Sequence, residues 1–238
     1  MAEIDKLIKI LLDETNHTIQ NVCRFNLAFE HTYDIDNCRS YKEFIEKVKD
    51  DGEENFLEEE CHIDSMVDPS VPIRKLNFTI FARNTENGEI MAVVNCGIYY
   101  LSVIVGKLDS FTRGKYSSLG LNKVLRVLAY RLLVNGLRCQ YLITVAVNKA
   151  TIHIVTKYFK WESVSAAEDY PLTTNQRKIK IAEETMSTGD IVNFVGDYSE
   201  PLTAENIQLN LMYNELLACS HYKGKRNQET GGKVCSVM

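Results

Sequence analysis

Residues 115–161 read KYSSLGLNKVLRVLAYRLLVNGLRCQYLITVAVNKATIHIVTKYFKW and decide the fold of the chain. A turn of small residues opens the stretch, and apolar residues then recur at steps of three and four from Leu121 to Leu132, the spacing of one helix face. Residues 141–147 form a nearly unbroken apolar run, the pattern of a strand covered on both faces. A second helical stripe ends at Phe159. The stretch therefore predicts a helix, a strand and a second helix, entered through a turn.

The first helix of this stretch has predictable ends and faces. Asn135 and Gly136 predict where it stops, because glycine tolerates the left-handed conformation that a helix C-terminus often needs. Arg126, Tyr130 and Arg131 fall between the apolar positions. We therefore expect these three side chains to face outward or sideways.

The order of elements resembles the acetyl-CoA-binding core of the GCN5-related N-acetyltransferase (GNAT) superfamily. In that family a loop of the form Arg/Gln-x-x-Gly-x-Gly/Ala leads from a strand into a helix, and an Asn begins the next helix. The best register places Gly120 at the first glycine, Leu121 at the apolar position and Asn122 at the second glycine. Asn148 follows the strand as in the family, and the Lys-Trp pair at 160–161 stands where the family writes Gly-Phe.

The loop predicts a site for a diphosphate. Amides at a helix N-terminus have no acceptor within the helix, so they bind anions with the help of the helix dipole. Ser117 stands in place of the family's loop arginine, and an ordinary strand–turn–helix connection is the alternative interpretation. From the resemblance we expect acetyl-CoA, the co-substrate, to be held by Lys115, Ser117, Ser118, Leu119, Gly120, Leu121, Asn122 and, on the pantetheine side, Asn148.

The composition of the chain limits the classes of protein to which it can belong. The chain has 238 residues, of which 45% are hydrophobic, and a net charge of −5. This length can bury a full core, and the acidic balance argues against general nucleic-acid binding. Seven cysteines without a C-x-x-C pair argue against a disulfide framework or a metal site and favour a reducing, cytoplasmic compartment. We predict one acetyltransferase-like domain over 1–220, with its cofactor core at about 75–165, and a tail over 221–238.

Two helices are predicted before the core. Ile4, Leu7, Ile8 and Leu11 are spaced as one helix face, and packing on the core is favoured over binding a partner. Residues 40–43 read SYKE, a capping box that opens a second helix.

An acidic segment follows. Residues 50–60 contain seven acidic side chains and no basic one. The favoured interpretation is a solvated, mobile loop. The alternative is an electrostatic funnel for a cationic acceptor, such as a small amine or a lysine side chain.

Residues 75–100 predict a β-hairpin whose turn is formed by Asn87 and Gly88. This hairpin resembles the second and third strands of the acetyltransferase fold. Residues 101–108 predict the fourth strand, and Gly106 could mark a bulge that frees backbone amides for the pantetheine arm and the thioester. The resemblance implies an α/β (α+β) fold: a central mixed, mostly antiparallel sheet flanked by helices, with a V-shaped splay between strands 4 and 5.

Catalysis in the family is direct acetyl transfer from the thioester to an amine, in a ternary complex. It needs a base for the ammonium, an N–H for the oxyanion and an acid for the thiolate. In many members the acid is a tyrosine at a position that Val155 occupies here, so Tyr158, one turn further on, is the candidate acid. Asp109 is the candidate base, with Glu89 judged too distant and bound water equally suited.

The resemblance thus implies an N-acetyltransferase that acts on a small amine or a protein amine. The altered loop and the missing tyrosine favour the alternative, a non-catalytic CoA-binding or protein-interaction scaffold of the same fold. Oligomeric state and the identity of the acceptor are not readable from the residues.

The tail is a separate module. Residues 221–238 are polar and rich in basic residues, which predicts a flexible segment. The last four residues, from Cys235, read CSVM and fit the C-a-a-X prenylation signal, with Met favouring farnesyl. A lipid beside a basic stretch would associate the protein with a membrane. An accidental cysteine in a disordered terminus is the alternative.

Overall fold

The computed structural model describes residues 2–17, 19–20, 26–34, 37–53, 74–100, 104–146, 149–164, 170–171, 178–179 and 192–198. The helices within these ranges are α1 (Ala2–His17), α2 (Arg39–Asp50), α3 (Leu121–Tyr130) and α4 (Lys149–Lys157). A 3-10 helix, Gly114–Leu119, precedes α3, and a π-helical turn, Arg131–Gly136, follows it. None of the described helices is long and apolar enough to cross a membrane.

The strands are β1 (Leu27–Thr32), β2 (Arg74–Asn84), β3 (Ile90–Tyr100), β4 (Ile104–Thr112), β5 (Tyr141–Ala146), β6 (Glu162–Val164), β7 (Tyr170–Pro171), β8 (Lys178–Ile179) and β9 (Val192–Asp197). Seven of them form one sheet in the order β1-β2-β3-β4-β5-β9-β6, and β7 pairs with β8 alone. Neighbours in the sheet are antiparallel except β4 and β5. The predicted mixed, mostly antiparallel sheet flanked by helices is confirmed.

The splay between β4 and β5 is visible in their pairing. The parallel ladder covers three residue pairs, from Val105 with Tyr141 to Lys107 with Ile143. Beyond these pairs β4 continues to Thr112, still paired with β3, while β5 continues beside β9. The two strands therefore part after Lys107, as the V-shaped arrangement requires.

The hairpin prediction is confirmed, whereas the predicted bulge at Gly106 is wrong. Gly88 takes φ 72° in the turn between β2 and β3. The register of β3 with β4 is continuous through Gly106, and β4 ends at Thr112 rather than Leu108. Gly106 instead allows close packing, because a Cβ there would lie 2.5 Å from Cδ2 of Leu142.

Two hydrophobic clusters cover the sheet. The larger one joins buried side chains of α1, α3 and α4 to the sheet, and the smaller one packs Phe44 and Val48 of α2 against Phe81 and Val93. The predicted packing of the first helix on the core is confirmed for Ile8, which is buried. The predicted face is wrong at Leu7, whose exposed fraction is 38%.

The α3 helix is enclosed rather than amphipathic. Every residue of it from Val124 to Tyr130 is buried, including Arg126, which is 1% exposed. The expectation that Arg126 and Tyr130 face outward is wrong, because the helix contacts its surroundings on all sides. The helical stretch ends at Gly136, as predicted, because α3 continues into the π-helical turn. The left-handed residue, however, is Arg138 (φ 59°) rather than Gly136.

The second helix forms without the predicted capping box. Its N-cap is Cys38, which makes no side-chain cap bond, and both Ser40 and Glu43 lie inside the helix. Glu43 accepts a hydrogen bond from Nε of Arg39 at 2.7 Å. The helix is therefore held by burial of Phe44 and its neighbours rather than by its cap.

The end of the predicted core stretch packs against β9. Lys160 takes φ 57°, a left-handed conformation, at the position where the resemblance places a glycine. Trp161 is buried, and its Nε1 donates a hydrogen bond to the hydroxyl of Tyr198 at 2.6 Å. A Cβ on Gly196 would lie 2.4 Å from Nε1 of the indole, so Gly196 and Trp161 fit only because Gly196 has no side chain.

We predict that Gly196→Ala lowers the free energy of unfolding by about 2 kcal/mol, the usual effect of overpacking against a rigid group. The measurement is urea unfolding followed by circular dichroism. Gly136→Ala is the matched control, because the nearest atom to a Cβ there is 3.7 Å away. Equal stability of the two variants would contradict the packing described for Trp161.

Candidate functional site

The loop between β4 and α3 ends in a row of unpaired amides. Gly120 takes φ 73° after the 3-10 helix, and the first hydrogen bonds of α3 run from the amides of Lys123 and Val124 to its carbonyl. Among the described residues, none accepts a hydrogen bond from the amides of Gly120, Leu121 or Asn122. Three consecutive donors therefore lie at the positive end of a ten-residue helix.

The same end of β4 offers further amides toward the splay. The amide of Arg113 donates to the carbonyl of Met91 on β3, and alternate residues of a strand point their amides to opposite sides. The amides of Ser110 and Thr112 are thus directed away from β3, to the side that β5 has left. The divergence of the strands leaves these donors free of β5, which is the role predicted for a bulge at Gly106.

Glu89 ties the hairpin turn to the start of this loop. Its carboxylate accepts hydrogen bonds from Arg113, Tyr116 and, at 2.8 Å, from Nζ of Lys115. Burial by itself would raise the pKa of Glu89, but the bonds from Lys115, Tyr116 and Arg113 outweigh it and lower the pKa to about 2. Lys115, a predicted cofactor ligand, is therefore already paired with a carboxylate of the protein.

The start of the acidic segment joins this cluster. Asp51 accepts a hydrogen bond from Nε of Arg113 at 2.8 Å, and Glu53 accepts one from the amide of Gly114 at 2.8 Å. Asp51 is exposed and Glu53 is half-buried, so both remain in contact with solvent as predicted, but the loop before α3 holds both carboxylates in place. Residues 54–60 lie outside the described ranges, so the funnel alternative stays a prediction for them.

A second polar group, here called the vertex cluster, lies where β4 and β5 part. Asp109 is bonded to Nζ of Lys107 at 2.8 Å and to Oγ1 of Thr144 at 3.4 Å. Arg126 donates from Nη1 to Thr144 at 3.3 Å and from Nε to Oδ1 of Asn122 at 2.9 Å. Burial lowers the pKa of Arg126 to about 10, although the nearby Asp109 acts in the opposite direction. The vertex cluster thus links β4, β5 and the first turns of α3.

The candidate catalytic residues lie on different elements. Asp109 is within β4 rather than past its end, and it belongs to the vertex cluster. The hydroxyl of Tyr158 accepts a hydrogen bond from Nζ of Lys123 at 3.2 Å, and this ammonium lies 4.6 Å from the ring centroid. Val155, at the family's tyrosine position, is fully buried in the core.

The remaining predicted ligands are placed as follows. Ser117 is exposed on the 3-10 helix, and Leu119 is half-buried. Leu121 is buried in the core, so its amide rather than its side chain is available to a ligand. The side chains of Ser118 and Asn148, and all of Cys235, lie outside the described part of the chain.

Sequence reasoning missed Arg126, Lys107, Thr144 and the pairing role of Glu89. A signal existed for Arg126, because it and Arg131 are the only charged residues in the apolar stretch 124–134. A helix that is apolar all round is buried, and a charge within it is buried with it. Thr144 lies in the apolar run that predicts a strand covered on both faces, so its burial could be predicted but its partners could not. Nothing in the sequence separates Lys107 from a solvent-facing residue of its strand.

We predict that Glu89→Gln lowers the free energy of unfolding by about 2 kcal/mol at neutral pH, since it removes one of the two carboxylates bonded to the buried Arg113 and a charged hydrogen-bond partner of the exposed Lys115. The pKa of Glu89 is depressed from 4.5 to about 2, so its contribution is present above pH 4.5 and is lost as the pH falls toward 2. The difference between the wild type and the variant should therefore shrink in that range, as measured by urea unfolding. Glu86→Gln, at an exposed position of the same turn, is the control. A constant difference at all pH values would contradict the pairing.

The sequence matches no protein-family model and no curated protein, but the structure is similar to solved structures. An acetyltransferase of the GNAT family from Streptococcus pneumoniae is 15% identical over 72% of this chain and 99% of its own, with a TM-score of 0.44. Arabidopsis thaliana NAA60 in complex with acetyl-CoA is 11% identical over 73% and 99%, with a TM-score of 0.44. The ribosomal-protein-S18-alanine N-acetyltransferase from Escherichia coli is 15% identical over 74% and 96%, with a TM-score of 0.40. The solved structures to which the chain is similar thus include acetyltransferases, one of which is described as a GNAT-family protein.

Proposed function

We propose that the chain is an N-acetyltransferase that moves an acetyl group from acetyl-CoA to an amine. The observation that carries this proposal is the row of unpaired amides at Gly120, Leu121 and Asn122, at the N-terminus of α3. Such a row binds a diphosphate through neutral donors and the helix dipole. Because only the short 3-10 helix Gly114–Leu119 separates this row from the open end of β4, an arm attached to the diphosphate would lead into the splay.

The exposed edge of β4 is suited to the rest of the co-substrate. The amides of Ser110 and Thr112 face the side that β5 leaves open, where they would bond the amide oxygens of a pantetheine arm. A donor of this kind near the thioester carbonyl would also stabilise the oxyanion that forms when the amine attacks.

Proton transfer would use residues on both sides of the splay. Asp109, held by Lys107, would take a proton from the acceptor ammonium directly or through water. The amine nitrogen then bonds to the carbonyl carbon, the carbon–sulfur bond breaks, and the thiolate takes a proton from Tyr158 or from water. Lys123 would lie beside the tyrosine oxygen that becomes negative on proton donation.

One observation favours the scaffold as a second candidate function. The position of the family's tyrosine is Val155, fully buried and without a proton to give. A CoA-binding protein that does not transfer the acyl group needs only the amide row and the splay.

The acceptor of the first candidate, the N-acetyltransferase, would be a small amine or a protein amine.

We predict that acetyl-CoA at a hundred times its dissociation constant stabilises the protein by about 2.7 kcal/mol in a thermal-shift titration. Gly120→Ala should weaken binding at least tenfold, because the left-handed φ strains alanine and displaces the amides. Gly88→Ala introduces the same strain at φ 72° in the hairpin turn, with open space around it, and should leave affinity unchanged. Absence of any shift at millimolar acetyl-CoA would refute both candidate functions.

Release of free CoA distinguishes the two candidates. Incubation with acetyl-CoA and a panel of small amines and lysine peptides should release thiol in proportion to acylated product if the chain is an enzyme. Loss of release in Asp109→Asn, with unchanged acetyl-CoA affinity, would support the role of Asp109. Binding without release across the panel would favour the scaffold.

We further propose that the tail anchors the protein through Cys235. Expression in eukaryotic cells should add the mass of a farnesyl group, and Cys235→Ser should abolish the addition. The variant should also leave the membrane fraction, because the basic stretch alone binds anionic lipid weakly. An unmodified mass for the wild type would overturn this proposal.

A further inference from the structure

Arg126 is a buried cation whose hydrogen-bonding capacity is largely unused. A guanidinium has five N–H donors. Nε donates to Oδ1 of Asn122 at 2.9 Å and Nη1 donates to Oγ1 of Thr144 at 3.3 Å. Within the part of the chain that the structure describes, no residue accepts from the other three donors. The residue is only 1% exposed, so at most a narrow opening to solvent reaches these donors.

The charge of Arg126 also has no carboxylate bonded to it among the described residues, although the nearby Asp109 favours it through space. Both of its partners are neutral, and buried charges are normally paired. The nearest carboxylate of the vertex cluster, Asp109, is already bonded to Lys107, which is itself buried. Among the described residues that form the vertex cluster there are two cations, Lys107 and Arg126, and one anion, Asp109, which is not bonded directly to Arg126.

The position of the guanidinium fits the end of the co-substrate rather than its diphosphate. Thr144, which Arg126 contacts, is the first residue of β5 past the last β4–β5 pair, at Ile143. Arg126 is one helical turn beyond Asn122, the last residue of the amide row. An arm that starts on the amide row and enters the splay would bring its terminal acyl group toward the vertex cluster.

We propose that Arg126 binds a carboxylate at the distal end of the acyl group, so that the preferred co-substrate is the CoA thioester of a short dicarboxylic acid. This inference rests on the proposed function. A planar guanidinium matches a carboxylate through two parallel N–H···O bonds, and it does so most strongly where water is excluded. A plain acetyl group would leave the three donors unpaired. Transfer follows the same bond changes: the amine nitrogen bonds to the thioester carbon, and the sulfur leaves as thiolate.

The test compares succinyl-CoA with butyryl-CoA, which has the same four-carbon acyl chain without the carboxylate, by isothermal titration calorimetry. The wild type should bind succinyl-CoA at least tenfold more tightly. Arg126→Met should abolish this preference, and Arg126→Lys should keep only part of it, because lysine retains the charge without the fork. Arg131→Met, in the π-helical turn that follows α3, is the matched control and should keep the full preference.

Three results would overturn the inference, and they separate it from the proposed function. Equal or tighter binding of butyryl-CoA by the wild type refutes the dicarboxylic specificity while leaving CoA binding intact. If Arg126→Met weakens the binding of succinyl-CoA, butyryl-CoA and free CoA equally, the guanidinium contacts the CoA portion that all three ligands share and not the acyl group. No binding of any thioester removes the proposed function as well. The wild-type comparison and Arg126→Lys decide the matter if Arg126→Met fails to fold.

Discussion

Three residue pairs join the two halves of the main sheet, and most of what the candidate site offers depends on their small number. Val105, Gly106 and Lys107 pair with β5, and the strands then separate. A longer ladder would use the outward amides of Ser110 and Thr112 and would leave no gap before α3. Gly106 supports the short ladder, because a side chain there would collide with Leu142 just where the strands are closest. Gly106 therefore permits close packing where the strands pair, and β4 leaves β5 beyond Lys107 without an irregularity in its pairing with β3.

The basic side chains of the loop before α3 suggest that they attract the diphosphate, but in the structure they are paired with carboxylates of the protein. These cations, Arg113 and Lys115, are neutralised by Glu89 and Asp51, so they brace the loop against the hairpin and α2. Attraction for a diphosphate is left to backbone amides and the helix dipole, which are neutral donors fixed in place. The only strongly buried positive charge without a carboxylate bonded to it is at the vertex, in Arg126, among the residues that the structure describes.

The sequence predicted elements whose signal is local, and it missed features that depend on what lies across a gap. Alternation and the Asn87-Gly88 turn are sufficient for the hairpin, and apolar spacing is sufficient for α3. The side on which Arg126 lies is not local, since it depends on how β3, β4 and Thr144 of β5 pack against the helix. The same holds for Glu53: an acidic run predicts solvent, yet one carboxylate meets the amide of Gly114. Propensity describes a residue's preference, and tertiary contacts decide its partner.

An ordinary strand–turn–helix connection without a ligand explains the unpaired amides of this region but not the buried guanidinium of Arg126. Unpaired amides at a helix N-terminus occur in any helix and cost little where water reaches them. A buried guanidinium with neutral hydrogen-bond partners is not explained in this way, because an apolar residue at position 126 would pack with less desolvation cost. Both features are accounted for together by a ligand with one anionic group on the amide row and another at the vertex, joined by an arm lying along β4. A strand–turn–helix connection that binds no ligand would require neither the separation of β4 and β5 nor a buried cation at the point where they meet.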